Sequence, residues 1–130
     1  MSSDEFIVTP WNVEGDIDYE KLTKQFGTQK ISSEILSKIK KITQEDHFML
    51  RRGIFFSHRD LNVILDNFEK GKKFFLYTGR GPSGNTHIGH LVPWVFAKWL
   101  QEKFDVDIYF QLTDDEKFFT KSDLTLEDTN

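Results

Sequence analysis

The chain has 130 residues, enough for one ordinary domain or a piece of a larger one, and its 15% aromatic share, chiefly thirteen phenylalanines, calls for a packed core. A formal charge of −4 excludes a surface built throughout to coat nucleic acid, and leaves Arg51, Arg52, His58 and Arg59 as the one basic cluster. The absence of cysteine excludes a disulfide framework and a thiolate metal site, and the four histidines do not have zinc-motif spacing, so no metal site is expected.

The opening MSSDEF is not a secretory signal and no apolar run approaches membrane-spanning length, so a soluble cytoplasmic protein without membrane contact is expected. Short apolar pieces at Phe6, Ile7 and Val8, then Trp11 and Val13, separated by Pro10 and followed by Gly15, predict two short strands or a hairpin. Asp16 and Asp18 are candidate caps for a short helix carrying Tyr19, Leu22 and Phe26, which Gly27 closes. Over residues 33–42, Ile35, Leu36, Ile39 and Ile42 recur at helical spacing with lysines on the other face. A further helix has Ser57 and Asp60 as a near capping box, a stripe of Leu61, Ile64, Leu65 and Phe68, and Gly71 as its stop.

From residue 74 the pattern becomes strand, loop, helix, strand. FFLYT (74–78) and VDIYFQL (106–112) read as buried strands. Between them Leu91, Val92, Val95, Phe96, Trp99 and Leu100 make one wide apolar face on a helix over about residues 88–103, with Pro93 early enough to kink it or delay its start. This is a βαβ unit with two parallel strands. A lone βαβ leaves most of a parallel sheet uncovered, and Thr125 with Asp128 marks a helix start after which only Thr129 and Asn130 follow. The sequence is therefore expected to stop inside a domain.

Ligands of open α/β sheets bind at the carboxyl ends of the strands, so the loop after FFLYT and the residues after YFQL are expected to line one crevice. Gly79, Gly81 and Gly84 let backbone N–H groups approach a ligand, and the helix start behind them favours an anion such as phosphate. His87 and His90 lie on the same face of the first turn, each able to donate a hydrogen bond to a phosphoryl group, and Gly89 between them offers a flat surface for a purine or ribose. Residues 79–84 also fit G-x-G-x-x-G, but a dinucleotide site calls for an acidic residue about twenty positions on, where Phe104 stands, and for a loop without proline.

HIGH (87–90) after a glycine-rich turn resembles the nucleotide-binding motif of class I aminoacyl-tRNA synthetases. The longer strings RRGIFFSHRD, LYTGRGPS, KWLQ and TDDEKFF resemble the eukaryotic and archaeal type of tryptophanyl-tRNA synthetase, and the likeness runs from about Phe6 to the last residues. The loop from Pro82 to His87 is one residue shorter than in that pattern. The resemblance implies an α/β fold: the N-terminal half of a Rossmann-like class I synthetase catalytic domain with a parallel sheet. Residues 1–72 would form a hairpin and helical segment packed on it, and 73–130 its first, incomplete part. It implies tryptophan, ATP with Mg²⁺ and tRNA(Trp) as reactants and a homodimer as the assembly. By the same resemblance His87 and His90 are catalytic, and Gly79, Arg80, Gly81, His87, Gly89, His90 and Lys117 line ATP. Tyr77 and Gln111 would take the indole N–H, Glu116 the ammonium, and Gly79 and Thr113 would lie along the substrate.

Plainer readings stand beside these. Thr113 and Glu116 fit a capping box, Tyr77 and Gln111 fit strand-end rim residues, Trp11 fits a core anchor, and the basic cluster fits a solvated or ion-paired surface. Tyrosyl-tRNA synthetase and the H-x-G-H nucleotidyltransferases share the short motif, and a non-catalytic synthetase-derived fragment is a further reading. No K-M-S-K-S-like loop or helical anticodon-binding domain occurs in these 130 residues, so the chain by itself is not expected to charge tRNA.

Overall fold

The computed structural model describes residues 7–8, 13–14, 19–81 and 85–113. Strand β1 (Ile7–Val8) pairs antiparallel with β2 (Val13–Glu14), the expected short extended pieces. Pro10, Trp11, Gly15, Asp16 and Asp18 lie outside the described residues, as do Thr125 and Asp128. Helix α1 (Tyr19–Gln25) stops where the sequence places its stop: Gly27 has φ +59°, its N–H donates to Lys24 O at 3.3 Å, and the Thr28 N–H donates to Thr23 O at 2.9 Å. These are the two bonds of a Schellman motif, and its left-handed residue favours glycine.

Strand β3 (Gln29–Lys30) pairs antiparallel with β4 (Ser57–His58) across the helices between them. Helix α2 (Ser33–Thr43) begins at Ser32, whose Oγ accepts the Ile35 N–H at 3.3 Å. It buries Ile39 and half-buries Ile35, Leu36 and Ile42. The single turn α3 (Phe48–Arg51) buries Met49 and Leu50. Helix α4 (Leu61–Glu69) corrects the expected start signal. Ser57 belongs to β4, Asp60 stands at the cap position with φ 57° and no side-chain cap bond, and His58 Nδ1 accepts the Leu61 N–H at 3.2 Å. Its stop at Gly71 repeats the α1 pattern, with Gly71 N–H to Phe68 O at 2.9 Å and Lys72 N–H to Asn67 O at 3.0 Å.

Strand β5 (Leu76–Arg80) lies parallel to β6 (Ile108–Leu112), joined through helix α5 (Ile88–Phe104). Both strands start two residues later than the apolar runs. Pro93 lies inside α5 rather than delaying its start. Ile39, Leu50, Leu65, Trp99, Phe104 and Val106 form one buried core to which α2, α3, α4 and α5 all contribute. Phenylalanine rings pack in and around it: Phe68, Phe74 and Phe104 meet edge to face with ring centroids 5.0 to 5.9 Å apart, while Phe55 stacks on Phe96 at 4.2 Å. Only the last turns of α5 enter this core, because Leu91, Val92 and Val95 stay exposed. Lys38 bridges α2 to Asp66 and Glu69 of α4, and Lys103 of α5 meets Glu45 at 2.6 Å.

His47 joins these layers. It is buried, its Nδ1 accepts the Met49 N–H at 3.3 Å, and its ring packs 4.4 Å from Trp99 between centroids. Burial holds its imidazole below the ordinary histidine value, opposed by the neighbouring Glu45 carboxylate. The unfolded chain therefore binds this proton more readily than the folded one. Stability from this group is full above about pH 6.5 and falls as pH drops below that toward the folded value. Urea unfolding between pH 7.5 and 5.5 is expected to give a midpoint that falls with acidification, and His47→Asn, which keeps a cap acceptor but does not titrate, is expected to flatten that fall.

Candidate active site

The parallel register pairs Leu76 with Ile108, Tyr77 with Tyr109, Thr78 with Phe110, Gly79 with Gln111 and Arg80 with Leu112. Side chains alternate along a strand, so Leu76, Thr78 and Arg80 share one face with Ile108, Phe110 and Leu112. Phe110 meets Trp94 of α5 on that face, 5.2 Å between ring centroids. Tyr77, Gly79, Tyr109 and Gln111 share the other face, where Tyr77 and Tyr109 are exposed and line an open hollow with Phe75. The structure thus brings Tyr77, Gly79 and Gln111 together on the side away from α5. Gly79 has a steric reason to be glycine: a Cβ there would sit 2.4 Å from the Gln111 carbonyl oxygen. Beyond the strands, the Thr113 N–H donates to Arg80 O at 3.2 Å and extends the ladder by one residue.

Beyond the carboxyl end of β5 the described residues run to Gly81 and resume at Asn85. The Arg80 guanidinium donates to Thr86 Oγ1, tying the end of β5 to the residue before the cap of α5. His87 takes the N-cap position of α5 in extended backbone, φ −127° and ψ 170°. Its Nδ1 accepts the Gly89 N–H at 3.2 Å, while its own N–H donates to His90 Nδ1 at 3.2 Å. Two imidazoles thus form a reciprocal capping box, with ring centroids 3.9 Å apart.

A backbone N–H has only one role, so each Nδ1 must be without its proton, which puts the ring proton of the neutral form on Nε2. The ring donor that this capping leaves on each imidazole is therefore Nε2–H, a narrower inventory than donation from either ring nitrogen. The Gly89 N–H, one of the helix-start donors, is already committed to His87. Glu116 and Lys117 lie outside the described residues, as do Pro82, Ser83 and Gly84.

Two members of the basic cluster have structural partners. His58 is buried as the cap of α4, and the Arg59 guanidinium donates to Phe26 O at the end of α1. Sequence reasoning missed Thr86 and Tyr109. Tyr109 was within reach, since it stands two residues before Gln111 on the same strand; nothing in the sequence marks Thr86 as the partner of Arg80.

Comparison with known proteins bears on this geometry. The chain is 56% identical over 126 residues to the tryptophan–tRNA ligase of Saccharolobus solfataricus, covering 97% of this chain and 33% of that protein. It is 57% identical over 127 residues to that of Pyrococcus furiosus, with the same shares of both chains. The chain is related to the tryptophan–tRNA ligases. It spans about a third of the length of the curated relatives it matches. The tryptophanyl-tRNA synthetase structure from Plasmodium falciparum superposes with TM-score 0.82 at 48% identity, covering 88% of this chain and 32% of that one. That from Encephalitozoon cuniculi, bound to tryptophan, gives 0.81 at 44% with the same coverage. The α/β assignment with a parallel sheet is borne out by these class I synthetase neighbours. No family model matches the chain.

The cap and any chemistry of His87 are separable. His87→Ala is expected to lower the stability of the chain by about 0.5–2 kcal/mol through loss of the cap, and His87→Asn, which supplies a cap oxygen, to restore most of it. Urea titration of the three proteins measures both effects.

Proposed function

We propose that the protein attaches tryptophan to tRNA(Trp) in two steps. The tryptophan carboxylate attacks the α-phosphorus of ATP, forming tryptophanyl-adenylate and releasing pyrophosphate. A terminal ribose hydroxyl of the tRNA then takes the aminoacyl group, and AMP leaves. The observation that carries this reading is a pair of helix-capping imidazoles at the carboxyl end of a parallel strand, in a chain 56% identical to a tryptophan–tRNA ligase.

In this reading His87 and His90 donate from Nε2 to the phosphoryl oxygens as charge moves onto the departing pyrophosphate. Gly79, Arg80, Gly81 and Lys117 line MgATP, with Arg80 also held by Thr86, and Gly89 belongs to the same nucleotide site. Tyr77 and Gln111, on the face away from α5, receive the indole, Thr113 lies along the substrate and Glu116 takes the ammonium. The tryptophan-bound relative from Encephalitozoon cuniculi supports that choice of amino acid. Acceptors for an indole N–H that the bound amino acid covers from water are left unpaired by phenylalanine, which gives discrimination on the order of 10⁴. Relatives named as tryptophan–tRNA ligases at 54 to 58% identity favour this reading over tyrosine activation or a nucleotidyltransferase.

Residues 1–72 act as a hairpin and helical segment on the catalytic core, which begins at residue 73. The working assembly is a cytoplasmic homodimer, and among the described residues no helix is long and apolar enough to cross a membrane. The 130 residues alone do not charge tRNA, since the relatives that do are about three times as long.

The test is exchange of labelled pyrophosphate into ATP by a polypeptide extended to the relatives' length, offered tryptophan, tyrosine and phenylalanine in parallel. Exchange with tryptophan alone is expected, reduced about 10²–10³-fold in His87→Asn although that variant keeps its cap. Exchange with tyrosine, or silence with all three, contradicts the proposal.

A further inference from the structure

We infer that Gly89 is a positioning residue for His87: its lack of a side chain makes room for the imidazole that caps α5, so it serves the nucleotide site through that ring. The role rests on the nucleotide-site reading, but its structural half does not. A Cβ at position 89 would sit 3.1 Å from both Cε1 and Nδ1 of His87. Nδ1 is the atom that accepts the Gly89 N–H, so the ring lies over residue 89 because of the cap itself. Contacts as short as 3.1 Å are relieved only by moving one partner. The ring cannot move without lengthening its cap bond, and the His90 ring 3.9 Å away, which accepts the His87 N–H, is displaced with it.

Glycine inside a helix costs roughly 0.5–1 kcal/mol relative to alanine, so an exposed glycine within the first turn of α5 asks for a reason. Here the reason is present without any ligand. The same geometry accounts for the spacing of the motif. The N-cap histidine bonds to the N–H two residues on, which brings its ring over that residue so closely that a Cβ there would push it aside by a few tenths of an ångström. The third helical residue is the one whose side chain reaches back to the N-cap N–H, and it is His90. Ile88 takes no part in either bond and stands 81% exposed.

Two measurements test this. The first is the ¹⁵N shifts of the His87 ring nitrogens in this chain. The native protein is expected to show one tautomer, protonated at Nε2, and Gly89→Ala is expected to move both nitrogens toward tautomer-averaged values. A native pattern retained in Gly89→Ala overturns the inference, whether or not the protein activates tryptophan. The second is a double-mutant cycle of pyrophosphate exchange in the extended polypeptide. Gly89→Ala is expected to cost about tenfold or more in the native background and less than twofold in His87→Ala, because its effect passes through that ring. An undiminished loss in the His87→Ala background overturns the inference and assigns Gly89 to direct ligand contact. Absence of exchange in the unsubstituted protein counts against the proposed function alone, and the shifts then decide.

Discussion

Burial of Trp99 and Phe104, at the far end of α5 from the histidines, fixes where that helix begins. A helix of 17 residues is about 25 Å long and stiff. Anchoring its last turns in a core shared with α2, α3 and α4 therefore sets the position of His87 and His90 relative to β5. Each buried aromatic side chain contributes roughly 2–3 kcal/mol, enough to hold the helix although its first turns keep Leu91, Val92 and Val95 exposed. The Arg80–Thr86 bond and the Thr113 N–H to Arg80 O bond complete the frame by tying the end of β5 to the start of α5 and the two strands together. The candidate site is thus held from behind by Trp99 and Phe104, which take no part in its proposed chemistry, and at its edge by Arg80 and Thr113, which line it.

All four histidines use Nδ1 in the same way, accepting a backbone N–H at the start of a helix or across its first turn. Environment separates their roles. His47 and His58 are buried, one against Trp99 and Phe96 and the other at the end of β4, and their cap bonds are structural. His87, exposed, and His90, half-buried, do the same local work beside the carboxyl end of β5, where the cap puts the ring proton on Nε2. A cap that fixes the tautomer makes the donor definite before any ligand arrives, which is the preorganisation that phosphoryl stabilisation requires.

Legibility in the sequence followed the strength of each local signal. Ile35, Leu36, Ile39 and Ile42 repeat at helical spacing and lead directly to α2, and Gly27 and Gly71 stand where two helices stop. β3, β4 and α3 are two to four residues long, too short for any period to register. The start of α4 was misread because Ser57 and Asp60 are the customary cap residues while His58 does that work. At the site, the parallel pairing of the two strands was legible and the family resemblance named Tyr77, Gly79 and Gln111, but that they share one face follows only from the observed register. The close approach of Gly79 to the Gln111 carbonyl depends on cross-strand register, which no local pattern carries. The histidines were legible as neighbours but not as acceptors, since that depends on the extended backbone of His87.

The most direct test of the central claim, that the capped start of α5 receives the α-phosphate of an adenylate, is a crystal structure of the extended polypeptide with a non-hydrolysable tryptophanyl-adenylate analogue. The phosphate-mimicking group is expected within hydrogen-bond reach, about 2.7–3.2 Å, of Nε2 of His87 or His90, with the indole on the face bearing Tyr77 and Gln111. An analogue bound elsewhere, or bound there with its phosphate mimic turned away from both imidazoles, contradicts the claim.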